Sequence, residues 1–540
     1  MSLREFLHHL QFEPDKIKPP GWETDWEDAP LPYKLYRRLP TIPLCAEVPL
    51  TLYGDEASER VKVTLKDLGH LLWHVYGLTQ ISQTQYAMDA PTGEGEFEEE
   101  EPSFPYQMYR RFIPSGGGLY PNELYVYLKL EGAPHGVYHY DVAHHRLVLL
   151  REGVYDSYLD RALGHRSEVS ACCAVAFVSA YFWKNFFKYN NFSYRLQGLD
   201  AGVLIGQLLE GAKRFGFKEA CVHYQFLDQA VNHLLGLSDQ EESVYAVIPL
   251  SYDAEIYRAL DAPTDTITVT ASDLMQELSE LRHEQYVHSA RIVPFPKLLE
   301  MNEASRISCT QSFRSIGERT SPTFQFEETE AIELPHVDRM SYDWAAVCRK
   351  RYSPEADYIL REVSLVQLAG LLREATASWA YRNDLDRESA ARSPRVFLYV
   401  SLYAVEGVPD GAYRYDAVRH ALWQVRPGDH RPWLQKAVAL GNISLYQVPL
   451  IFHVAGDRNH LIEPLGYRGY RIQQMEAGML VQRLLLAAGV HGFGGRPLLG
   501  FDPGLSDELF RAADADATCL IQIPIGPHRG RERLEGKLSC

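Results

Sequence analysis

Apolar and polar positions alternate with two distinct periods along the chain, and the pattern occurs twice. An amphipathic helix is predicted over VTLKDLGHLLWHVYG at 63–77 and again over VSLVQLAGLLREATA at 363–377. Alternating strands follow in ELYVYLKL and RVFLYVSLY, then a tight turn before GVYHYD at 136–141 and GAYRYD at 411–416. Next come an apolar strand, a long helix starting near a Tyr-Arg pair, and a closing strand, AVIPL at 246–250 or IQIPI at 521–525.

The matches keep nearly one spacing. The GxYxYD strands and the closing strands are 275 residues apart, and SYRLQGLDAGVLIGQLL at 193–209 returns as GYRIQQMEAGMLVQRLL 276 residues later. The leading helices are 300 apart, so the second copy lacks about 25 residues between its helix and its GAYRYD strand. The expected fold is α+β, two α/β/α repeats pairing as an intramolecular pseudo-dimer. The small residues in Asp200-Ala201-Gly202 and Glu476-Ala477-Gly478 would let the long helices approach closely. The expected division is an N-terminal extension at 1–29, repeat 1 at 30–254, a connector at 255–340 with a helix over ASDLMQELSELRHEQYVHSA, and repeat 2 at 341–540.

Composition narrows the function. The chain has 540 residues, 46% hydrophobic and 23% charged, which suits folded domains. A net charge of −17 argues against a nucleic-acid partner. The eight cysteines show no metal-site spacing, so no metal is expected, and Cys172-Cys173 reads as part of a buried strand. The N-terminus has no apolar core of signal-peptide length, and no run approaches the ~20 apolar residues of a membrane span. A reducing cytoplasm without membrane attachment is the expectation. The acidic run from Gly93 to Glu101 reads as a solvated loop.

The segment RRFIPSGGGLYPNELYVYL, from Arg110, carries the strongest local motif: Pro114 and Ser115 precede Gly116, Gly117 and Gly118. Three glycines let the backbone run against a ligand and turn N–H groups toward it, whereas a plain surface turn is the competing reading. This is the stretch the second copy lacks. Together with GVYHYD, KYNNFSYRLQGLDAG and a late glycine-rich helix end, it resembles the SagB/ThcOx-type branch of the nitroreductase superfamily, FMN-dependent azoline dehydrogenases that mature thiazole- and oxazole-containing peptides. The resemblance covers roughly 30–250 and 340–535.

It implies an FMN at the interface of the two halves, with parts from each. Residues 114–118 match the family's loop at the isoalloxazine ring, whereas copy two has only AARSPRVFL near Arg392. The family's phosphate cluster at the start of the first helix is matched by Arg349, Lys350, Arg351 and Ser353; a solvated basic cap is the competing reading, and Arg37-Arg38 of copy one is a weaker match. Gly494 and Gly495 in HGFGGRP, and Arg529 and Arg531 in the basic tail, complete the cofactor set. Lys188 and Tyr189 match the catalytic Lys-Tyr pair, where copy two has Glu463-Pro464-Leu465-Gly466; an ordinary surface lysine is the alternative.

The expectation is one competent and one vestigial FMN site, oxidising azolines to azoles in a modified peptide, with room for a cyclodehydratase partner and for a monomer or a higher homo-oligomer. An NAD(P)H-dependent nitro or ene reductase and a degenerate flavin-free peptide-binding scaffold are the alternatives. Arg195 and Arg471, which start both long helices, read as helix-docking residues.

Overall fold

The computed structural model describes residues 1–53, 62–84, 106–252, 256, 268–316, 331–377, 381–386, 395–439 and 441–530. Two sheets, one mixed and one antiparallel, face each other across a helical layer. The first runs Thr41–Pro43, Arg146–Glu152, Gly136–Asp141, Asn122–Leu128, Ala174–Tyr181, Glu242–Ser251, Glu219–Val222 and Arg382–Asn383. The second runs Ile332–Glu333, Ala421–Pro427, Gly411–Asp416, Val396–Leu402, Leu450–Asp457, Ala517–Gly526 and Gly494–Gly495. The two orders correspond strand for strand, apart from the eighth strand of the first sheet.

Both faces of the central strands are buried. Leu124, Val126 and Leu128 point into the shared core, while Tyr125 and Tyr127 point to a separate core under the outer helices of the first half. Leu398, Val400 and Leu402 repeat this in the second half, with Tyr399 in its outer core. The shared core is built on the two long helices, Ser193–Arg214 and Arg468–Val490, which are buried along almost their whole length. They touch backbone to backbone: a Cβ on Gly202 would collide with the Met475 carbonyl, and one on Gly478 with the Leu199 carbonyl. The equivalent Tyr194 and Tyr470 stack with centroids 5.8 Å apart. The chain is thus an intramolecular pseudo-dimer.

The termini of the repeats cross over. The helix Leu3–Phe12 opens with a Ser2/Glu5 capping box and docks on the second half, where Gln11 Nε2 donates to Cys519 O at 2.8 Å. The earlier part of the connector instead lies on the first half, while its end, Ile332–Glu333, pairs with Ala421 and Leu422 at the edge of the second sheet. Its expected helix at 271–290 stops at Met275. Residues further on are committed elsewhere: Gln285 bridges to Tyr36, and Ala290 N and Arg291 N donate to the Asp28 carboxylate at 2.5 and 2.9 Å. A helix at Pro296–Ala304, not expected from the sequence, carries Leu298 and Met301 into the shared core. Among the described residues, no helix is long and apolar enough to cross a membrane.

The two halves part where the sequences differ in length. After its first helix, Leu65–Tyr76, the first half forms a hairpin of Leu78–Thr84 with Tyr106–Arg111. After Leu365–Thr376 the second half instead lays Arg382–Asn383 parallel to the first half's Cys221 and Val222.

Candidate functional site

The hairpin delivers the chain to the glycine motif. Ser115 is extended, residues Gly116–Gly118 form one tight turn, and Gly117 and Gly118 have φ of +64° and +69°, conformations other residues rarely adopt. The turn is fixed from below by Asp200 of the first long helix. Ser115 Oγ donates to Asp200 Oδ2 at 2.5 Å, Gly116 N donates to the same carboxylate at 3.2 Å, and Tyr120 N donates to Ser115 Oγ at 2.9 Å. Burial raises the Asp200 carboxyl to about 7, against the lowering effect of those two donors. In the sequence Asp200 stands out only for its small neighbours, although an acid within a largely apolar helix is a signal for a second role.

The short helix Trp183–Tyr189 holds the Lys-Tyr pair. Lys184 anchors it from the buried side, donating to Glu123 Oε1 at 2.7 Å, and Trp183 Nε1 donates to Ser289 Oγ at 2.9 Å. The helix ends at Asn190, with φ of +46°, and turns Lys188 and Tyr189 over the glycine loop. A Cβ on Gly117 would lie 2.5 Å from Tyr189 Oη and 3.1 Å from Lys188 Nζ. Lys188 Nζ also sits 5.0 Å from the ring centroid of Trp26 and 5.0 Å from that of Tyr189. Desolvation draws its pKa below the ordinary lysine value.

The second half approaches the same loop. Arg351 Nε donates to Phe112 O at 3.0 Å, and its Nη1 to Ser353 Oγ at 3.3 Å. Gly495 N donates to Tyr352 O at 3.3 Å, and Arg529 N to Asp357 O at 2.9 Å. A Cβ on Gly494 would strike the Pro354 ring and come within 2.8 Å of His528. Residues 351–357, 494–495 and 528–529 therefore form one patch, joined to the first half by Arg351 at Phe112.

Two expected positions differ. Arg349 and Lys350 occupy the last turn of Trp344–Lys350 rather than a helix start, where cations complement the carbonyl end of the helix. Arg349 Nη2 donates to Leu50 O at 2.8 Å, and Lys350 is exposed. Within that cluster Arg351 reaches the Phe112 carbonyl ahead of the loop, and Ser353 accepts from Arg351. Arg531, Arg392 and the acidic run from Gly93 lie outside the described residues. In the first half Arg37 is engaged by the connector, its Nη1 donating to Glu284 Oε1 at 3.2 Å.

At the pseudo-symmetric location the acid of the long helix is paired rather than turned to a loop. Glu476, the counterpart of Asp200, accepts from Arg395 Nε at 2.8 Å and from Tyr381 Oη at 2.7 Å. Asp384 accepts from Tyr224 N and Gln225 N, both at 2.9 Å, and from Arg166 Nη1 at 2.7 Å. Arg395, Asp384 and Arg166 are buried side chains that close this end with ion pairs.

No family model matches the chain. It is 26% identical over 168 residues, 31% of its length, to a Methanocaldococcus jannaschii protein that carries the name nitroreductase, covering 82% of that protein. The crystal structure of an Anabaena variabilis protein, also under the name nitroreductase, superposes with a TM-score of 0.73 at 22% identity, over 98% of this chain and 100% of that one. A Ralstonia eutropha structure with the same name aligns over 40% of this chain and 98% of its own, at 20% identity and a TM-score of 0.29, too low to add to the assignment. The chain has the nitroreductase fold, with both halves of the arrangement in one polypeptide.

Proposed function

We propose that the chain is an FMN-dependent dehydrogenase that oxidises thiazolines or oxazolines to azoles in a modified peptide, at one composite site to which both halves contribute. The observation that supports it best is the convergence of Lys188 Nζ and Tyr189 Oη on Gly117, whose hypothetical Cβ would lie 3.1 and 2.5 Å from them. The loop's residues fit a flavin. Gly118 leaves backbone bare for a planar ring, a Cβ there meeting only Met108 Cε at 3.6 Å, while Gly117 lets Tyr189 Oη and Lys188 Nζ close on the loop. Arg351 and Ser353 would hold the phosphate, with Arg349, Lys350 and Arg529 as further cations close in sequence to the same patch.

Bound there, FMN supplies a hydride acceptor. The chain's own residues do the rest. Aromatisation removes one proton and one hydride from adjacent ring atoms, and Lys188 takes the proton. Its desolvation favours the neutral amine that a base requires, and no carboxylate among the described residues offsets it. Tyr189 Oη orients the substrate ring over the loop. Molecular oxygen is the terminal acceptor of the two electrons, and a cyclodehydratase supplies the azoline.

Aerobic incubation with a thiazoline-bearing peptide tests the reading: the product should be lighter by two hydrogens. Flavin-loaded protein that leaves every azoline peptide unchanged contradicts it. The names carried by the two relatives favour a second reading, NAD(P)H-dependent reduction of nitro compounds or activated alkenes. In that case turnover would depend on NAD(P)H and survive the loss of Lys188.

A further inference from the structure

Each long helix begins with a buried arginine, and the two are satisfied differently. Arg471 meets a carboxylate: its Nη2 donates to Asp228 Oδ1 at 3.3 Å, beside Arg468, which donates to both oxygens of Asp228 at 2.8 and 2.7 Å. Asp228 is the first residue of the helix Asp228–Leu235. In the second half the matching helix, Pro503–Phe510, starts 275 residues later with a proline, and Phe192 stands where Arg468 would be.

Arg195 therefore lacks a directly paired carboxylate: Asp507, one turn further along Pro503–Phe510, acts on it only through space. It is 1% exposed, and its Nη groups donate only to the carbonyls of Leu10 at 3.3 Å, Gln11 at 3.4 Å and Leu520 at 2.5 Å. Among the described residues its Nε has no partner, and neither does Oε1 of Gln11, another 1% exposed side chain. A buried guanidinium without a hydrogen-bonded anion is costly. At this place a cleft of about 260 Å³ opens, lined by Arg195, Gln11, Phe12, Phe192, Phe501 and Pro503. Lys436 stands at its edge; Asp502, also there, is turned to its own helix, where Oδ1 accepts from Leu505 N at 3.1 Å.

We propose that this cleft binds a small carboxylic acid, whose carboxylate takes at Arg195 the place that Asp228 holds at Arg471 and whose apolar body lies among Phe12, Phe192 and Phe501. The volume is below the roughly 300–1,000 Å³ of sites for drug-sized ligands, which limits the body to about one ring. The cleft is separate from the glycine loop, and the inference is independent of the flavin reading.

Calorimetric titration of the full chain with phenylacetate, hexanoate and indole-3-acetate, and with phenylacetamide as the uncharged control, tests it. At least one acid should saturate at a 1:1 ratio, with phenylacetamide at least tenfold weaker than phenylacetate if that acid binds. Two variants bear on the place. Pro503→Asp supplies the missing carboxylate from within and should abolish acid binding. Ala439→Trp, at an exposed position of the cleft mouth, should do so by blocking it, with circular dichroism unchanged. No saturation by any of the three acids, phenylacetate and its amide binding equally, or undiminished acid binding in folded Ala439→Trp would each overturn the proposal.

Discussion

Arg351 of the second half donates through Nε to the Phe112 carbonyl of the first, at 3.0 Å and two residues ahead of Pro114. A cation from one half thus meets the segment that leads into the glycine loop of the other. Charge-assisted hydrogen bonds of this kind are worth about 1.5–3 kcal/mol. Arg351→Ala should weaken FMN binding by about 10- to 100-fold in a flavin-fluorescence titration, with little change in Tm. Unchanged affinity would remove Arg351 from the cofactor set.

Gly117→Ala separates strain from contact. A left-handed alanine costs about 1–2 kcal/mol, and its Cβ would press on Tyr189 Oη and Lys188 Nζ. Turnover should fall at least tenfold while the chain stays folded. Gly118→Ala is the control: its φ is +69°, yet its Cβ would meet only Met108 Cε, at 3.6 Å. It should cost similar stability and far less activity; equal losses of turnover would contradict the contact argument.

Lys188 should set the acidic limb of the pH profile. A base works only when deprotonated, and burial lowers its pKa, so kcat/KM should rise with pH through a value below ordinary lysine's. Lys188→Ala should remove that limb and cut kcat at least a hundredfold with flavin retained, and Tyr189→Phe should lower kcat less. A profile identical in Lys188→Ala would exclude the lysine as base.

Asp200 makes stability depend on pH. Its pKa is near 4 in an unfolded chain and raised to about 7 in the fold. The native state therefore holds the extra proton, and this contribution to stability is complete below pH ~4 and lost as pH rises through about 7. Asp200→Asn keeps an acceptor for Ser115 Oγ and carries no charge. Relative to wild type its Tm should climb between pH 5 and pH 8; a constant difference across that range would contradict the burial argument.

Much of the architecture was legible because both periods are clean. The GxYxYD strands, the leading helices and the long helices fall where their apolar spacing puts them. The connector was not, because acidic and apolar residues at helical spacing satisfied the pattern while residues beyond Met275 were claimed by Tyr36 and Asp28. Within the site, the glycine turn and the Lys-Tyr pair could be named from local motifs. The second role of Asp200, the contact of Arg351 with Phe112, and the closing of the opposite end by Arg395, Glu476 and Asp384 all depend on long-range placement. Local sequence does not encode that placement directly.

The central claim is one flavin site made from two halves, with the long-helix acid at its counterpart held in an ion pair. The amount of flavin per chain tests it most directly. Protein saturated with FMN and freed of excess by gel filtration should carry one flavin per 540-residue chain, from absorbance against protein concentration. Two tightly held flavins per chain, or none, would contradict it.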